Sequence, residues 1–104
     1  MENITTNAIS LITAFNKDII FNGVTMKNIE NFGDAGDSSI IYFNSEDRTR
    51  TIVIENSSIY NCNTNGETIR IKGSNAIVEI KNTTINDNIS YGPFIGIEAD
   101  IVNI

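Results

Sequence analysis

The 104 residues carry a net charge of −6, with a sequence pI near 4.4. That length holds one domain with a modest core, and seven scattered Lys and Arg residues argue against nucleic acid or an anionic membrane as partner. Ile (21 residues) and Asn (16) dominate while Leu occurs once, which points away from helices and towards an all-β chain with many corners.

Residues 1–8 are polar, and MENITTNAISLITAF has neither a basic leader region nor a long apolar run. It does not read as a signal peptide, and no segment reaches transmembrane length. A short alternating piece, ISL at 9–11, precedes IIFNGVTMKN at 19–28. There a strand runs into a polar corner at Gly23, continues through Thr25 and inward Met26, and turns again at Asn28. The loop ENFGDAGDSS (30–39) leads to IYFN (41–44), which alternates apolar-in and polar-out. IVIENSSIYN (52–61) then repeats the first pattern, with corners at Asn56 and Asn61 around Ser58 and Ile59. IRIK (69–72) alternates like IYFN, and VEIKNTTIND (78–87) repeats the pattern once more through Asn82, Thr84, Ile85 and Asp87. IGIE (95–98) follows the corner SYGPF, and IVNI (101–104) echoes IVEI (77–80).

The recurrence answers why such clean alternation keeps breaking. Equivalent corners are 33 and 26 residues apart, and equivalent IYFN-type strands 28 and 26 apart, giving about three and a half copies of one three-strand unit. A β-sandwich would use Asn22-Gly23 and Asn65-Gly66 as hairpin turns, but gives no reason for the same order to recur. A parallel β-helix does, because each coil stacks on the next. The spacing predicts inward columns Ile41–Ile69–Ile95, Phe43–Ile71–Ile97, Phe21–Ile54–Ile80 and Met26–Ile59–Ile85. The expected fold is an all-β solenoid of three to four coils with three short sheets. Its C-terminal end is expected to be uncapped, as in a single module excised from a longer multi-repeat protein.

Little in the chain suggests catalysis. Cys62 is the one cysteine and there is no histidine, so no disulfide, zinc site or base-activated thiol can be assembled. Outward positions Tyr42, Arg70, Gly96, Val53, Glu79 and Asn103 bring no pair of carboxylates together for acid–base work. DAGD (34–37) and SEDR (45–48) lack the carboxylate spacing of a calcium loop and read as solvated tips. Thr25, Ser58 and Thr84 form one outward hydroxyl column, but the neighbouring column of Lys27, Tyr60 and Asn86 does not continue it as an ice-binding face would require. Sequons at Asn3, Asn56, Asn82 and Asn88 are candidate N-glycosylation sites, consistent with a secreted chain.

ENSSIYNCNTNGETIRI and KNTTINDNISYGPFIGI resemble the units of right-handed parallel β-helix repeats of the adhesin and polymorphic-outer-membrane-protein type. The Asn- and Ile-rich variant is especially similar to the β-helix repeats of cellulosomal scaffoldins from anaerobic gut fungi. The resemblance covers residues 9–104. It implies a right-handed β-helix, an extracellular location, and a cohesin-like role holding dockerin-bearing plant cell-wall enzymes. It offers no catalytic motif. Two other roles compete: a structural or adhesive stalk segment, and a carbohydrate-binding remnant of a polysaccharide lyase. No cofactor and no metal is expected.

The expected binding residues are aromatics outside the core. Asn28 to Ile41 spans 13 residues against 8 from Asn61 to Ile69 and 8 from Asp87 to Ile95, so the 30–39 loop is an insertion, a common home of binding surfaces. Phe32 in that insertion, with Tyr91 and Phe94 in SYGPF, should flank one patch rimmed by Asp34 and Asp37. Tyr42 and Tyr60 alternate outward elsewhere and complete the set.

Overall fold

The structure, a computed structural model, describes residues 1–6, 10–33, 38–90, 95–98 and 101–103. Strands and corners account for all of them, and no helix occurs among them. Strand β1 (Glu2–Thr6) is followed by β2 (Ser10–Phe15), β3 (Ile19–Asn22) and β4 (Thr25–Asn31). Next come β5 (Ser39–Asn44), β6 (Arg50–Glu55), β7 (Ser58–Tyr60) and the short β8 (Asn63–Thr64). Then follow β9 (Ile69–Lys72), β10 (Ala76–Lys81), β11 (Thr84–Asn86), β12 (Ile95–Glu98) and β13 (Ile101–Asn103).

The strands form three separate sheets. The first is ordered β2-β5-β9-β12, the second β3-β6-β10-β13, and the third β1-β4-β7-β11 with β8 also paired to β4. The chain therefore visits the sheets in rotation, and every strand pairing among the described residues is parallel. Parallel pairing removes the hairpin alternative. The Gly23 N–H donates to the Glu55 carbonyl (3.1 Å) and the Gly66 N–H to that of Ser38 (2.8 Å), so both Asn-Gly steps extend contacts between neighbouring passes.

The registers coincide with the repeat read from the sequence. Ile41 pairs with Ile69 and Ile69 with Ile95, while Phe43, Ile71 and Ile97 align beside them. Phe21–Ile54–Ile80 and Met26–Ile59–Ile85 align in the other two sheets. Phe43, Met26, Ile54, Ile59, Ile69 and Ile71 are almost completely buried, each contributing about 1.5–3 kcal/mol on leaving water. The core is larger than those columns. Ile29, Ile40, Ile52, Cys62, Ala76 and Val78 join it, with Ile52 and Val78 forming a further column above Ile19. One boundary differs. The first-sheet ladder begins at Ile12 and Ala14, opposite Ile41 and Phe43, because Ser10 pairs with Ser39 and shifts the ISL piece along the strand.

Asparagine makes the corners. Asn3, Asn28, Asn61 and Asp87 share φ of +54° to +56°, and Asn56 and Asn82 (+51° and +46°) match Gly23 at +69°. Asn and Asp enter this left-handed region at low cost because the short polar side chain bonds locally. The amides also join neighbouring passes. Asn82 Nδ2 donates to Asn56 Oδ1 (2.7 Å), Asn56 Nδ2 to Asn22 Oδ1 (3.2 Å), and Asn28 Nδ2 to Asn3 Oδ1 (3.0 Å).

Candidate functional site

The insertion after β4 is clasped at its base. Asn31 is fully buried, donating through Nδ2 to the Ser39 carbonyl (2.8 Å) and accepting the Gly33 N–H on Oδ1 (3.1 Å). Ser38 Oγ donates to the Asn31 carbonyl (3.3 Å) and accepts the Asn65 N–H (3.1 Å). Asn65 Nδ2 reaches back to the Gly33 carbonyl (3.0 Å). Fixed by these bonds, and by its own N–H to the Thr6 carbonyl (2.9 Å), Phe32 stands 43% exposed. Asp34, Asp37, Tyr91 and Phe94, the other expected members of this patch, lie outside the described residues.

Tyr42 lies on the first sheet, away from Phe32, whereas Tyr60 lies on the third, the sheet whose strand β4 leads into Phe32. Tyr60, on the third sheet, neighbours Lys27, whose Nζ pairs with Glu2 at 2.9 Å. Glu2, and then Tyr60, hold the Lys27 ammonium above its ordinary pKa; Lys27 in turn lowers that of Glu2.

Tyr42 lies on the outer side of the first sheet, in a cluster the sequence reading did not assemble. Phe15 meets its ring edge-on, with centroids 5.5 Å apart and planes at 73°. The Arg70 guanidinium lies 5.5 Å from the ring centroid, within cation–π range. Asn44 Nδ2 approaches the Tyr42 hydroxyl at 3.4 Å. Phe15 is 47% exposed and aligns with Asn44, which aligns with Lys72. The signal was present in SLITAF: Ala14 is buried, so Thr13 and Phe15 face outward.

The four sequons are not equivalent. Asn3, Asn56 and Asn82 are exposed, whereas Asn88 is half-buried with both ends of its amide engaged. Its Oδ1 accepts the Cys62 N–H (2.9 Å) and its Nδ2 donates to the Ile59 carbonyl (3.1 Å), so it serves as a corner clamp; the exposed Asn56 amide is likewise engaged at both ends, by Asn82 and Asn22. Cys62 itself is 1% exposed, with Sγ 3.4 Å from the Tyr60 carbonyl, and burial pushes its thiol pKa up. The thiolate is the reactive form. Iodoacetamide at pH 8 should therefore alkylate the native protein at least about a hundredfold more slowly than the urea-unfolded chain, read by intact mass. Equal rates would mean the corner is open.

Among the described residues no group of three or more His, Cys, Asp or Glu is placed to hold a metal ion. Comparison with protein-family models, with curated protein sequences and with solved structures found no match to the chain.

Proposed function

We propose that the chain is a non-catalytic recognition module, folded as a right-handed parallel β-helix and acting as a cohesin-like unit that docks dockerin-bearing enzymes outside the cell. The fold reading is supported by three parallel sheets visited in rotation and by registers that step by one repeat. The functional reading rests mainly on the insertion whose base is pinned by Asn31, Ser38 and Asn65 while Phe32 is held out to solvent. An aromatic fixed at the hydrogen-bonded base of a loop loses little entropy on docking, as an interface anchor requires.

Immobilised protein should capture dockerin-bearing enzymes and leave insoluble cellulose and pectin in solution washes. Phe32→Ala should weaken capture at least about tenfold, or 1.4 kcal/mol, with the Tm unchanged. Retention on polysaccharide without enzyme capture would transfer the function to carbohydrate binding. Retention of neither would leave the stalk role, in which the column registers serve length alone.

A further inference from the structure

All three sheets terminate together, at two opposite ends. β1, β2 and β3 are the last strands at one end and β11, β12 and β13 at the other, and among the described residues each ladder runs only inward from them. The outer side of such a strand is a row of N–H and C=O groups that can template another strand. The core is also open at the first end. Ile4, Ile12 and Ile19 are only partly buried, whereas Ile29, Ile41 and Ile52, their register partners one pass inward, are closed to solvent. At the last end Ile85 is partly buried, while its partner Ile59 is 1% exposed.

Two side-chain ladders give these ends opposite hydrogen-bonding character. In one, Asn82 Nδ2 donates to Asn56 Oδ1 and Asn56 Nδ2 to Asn22 Oδ1, Asn22 serving beside Gly23, which has no side chain to offer. Each amide donates towards the first pass. Among the described residues this leaves Asn22 Nδ2 without an acceptor and Asn82 Oδ1 without a donor. In the other, Asn28 Nδ2 donates to Asn3 Oδ1 in the same direction, and the register continues through Asn61 to Asp87. Asn3 thus ends its column with an amide donor, and Asp87 with a carboxylate that can only accept. Asn3, Asn22, Asn82 and Asp87 are all exposed.

We propose that the first end docks onto the last end of a second copy of this chain, head to tail, so that the columns run on from one molecule into the next. Advancing the registers by one repeat sets Ile12 over Ile95, Ile19 over Val102 and Met1 over Ile85, an apolar pair in each sheet. The same step brings Asn22 beside Asn82 and Asn3 beside Asp87, donor to acceptor in both. Passes about 4.8 Å apart account for the shortest of the 32 × 28 × 20 Å extents. Each end therefore presents a cross-section of about 700 Å², close to the ~800 Å² per partner of a standard interface. A lone extended peptide would pair with one terminal strand and leave two sheets open. Two first ends docked together would oppose donor to donor. This contact is separate from the Phe32 loop and does not depend on enzyme docking.

The test is sedimentation equilibrium on glycan-free protein at concentrations up to about 1 mM. The weight-average mass should keep rising past the dimer, since a heterologous contact does not close on itself. Ile19→Lys on β3 and Ile85→Lys on β11 each put a cation into one end, and each variant alone should be monomeric. Mixed, they should form a one-to-one dimer and nothing larger, because each retains the intact end that the other needs. Asn3→Asp keeps the acceptor for Asn28 but meets Asp87 with like charge. Association should fall at least about tenfold and return when Asp87→Asn is added, both residue types being at home in the left-handed corner. Circular dichroism establishes that each variant is folded, and this exposed pair decides the matter if either lysine variant is not. Monomer at every concentration, a mass that levels off at the dimer, folded lysine variants that fail to complement, or indifference to Asn3→Asp would each overturn the proposal.

Discussion

Ile71→Asp is expected to unfold the protein at room temperature, whereas Arg70→Asp, one residue earlier, should lower stability by no more than about 1 kcal/mol. Ile71 is 1% exposed and in register between Phe43 and Ile97 in the first sheet. A carboxylate there has no cation to meet, since its parallel neighbours on both sides are hydrophobic. It must either stay charged in a low-dielectric core or take up a proton and lose its buried apolar area. Either route costs about 4 kcal/mol or more, a large share of the 5–15 kcal/mol that holds a domain of this size together. Arg70 faces outward and is only half-buried, so its replacement forfeits partly exposed contacts, the one with Tyr42 among them. Urea unfolding followed by circular dichroism separates the two. Equal damage would refute the alternation, and with it the stacked columns.

Much of this architecture is legible in the sequence because parallel stacking makes the same chemical demand on each pass. Ile54 and Ile80 need apolar neighbours because they are neighbours, and Asn56 and Asn82 need a left-handed backbone because each closes the same corner. Repetition therefore exposes both the registers and the turn chemistry. What the repeat conceals is whatever depends on corner length. The first-to-second-sheet corner takes residues 16–18 in one pass, 45–49 in the next and 73–75 in the third. Lys17, Arg48, Arg50 and Lys72 consequently share no sequence offset, although they share an edge. The aromatics are scattered for a related reason. Strand parity resets at each corner, so Tyr42 and Tyr60, both outward beside inward Ile, emerge on different sheets. Phe32 was recognisable only from the insertion, since Asn31, Ser38 and Asn65 that fix it belong to no repeated column. Asn88 shows the converse: its sequon invites a surface role, but its amide is consumed within the corner that shelters Cys62.

Gly73→Ala should destabilise the fold by about 3 kcal/mol or more, lowering the Tm by about 12 °C or more. Two causes combine. Gly73 has φ of +126°, a conformation that L side chains rarely adopt, and a Cβ built there would collide with Ser45 Oγ and lie 3.1 Å from the Ser45 backbone nitrogen. Ser45 cannot yield easily, being fully buried and held by its N–H to the Lys72 carbonyl (3.0 Å). Its Oγ, however, is buried with no hydrogen-bond partner, so Ser45→Ala alone should be neutral or slightly stabilising. In the double variant the hydroxyl clash disappears while the backbone strain remains. The pair should therefore be about 1 kcal/mol or more less damaging than the sum of the single effects. Gly23 supplies the control. At φ of +69° a Cβ meets nothing within 4 Å, so Gly23→Ala should cost only the backbone term, about 1–2 kcal/mol. Gly23→Asn should cost nothing and gain up to about 1 kcal/mol, because Asn56 and Asn82 already occupy this conformation in the passes beside it. Thermal unfolding of the variants decides the matter. If Gly73→Ala proves as mild as Gly23→Ala, close packing against Ser45 contributes nothing to the corner. If Gly23→Asn proves damaging, the equivalence of these three corners is wrong.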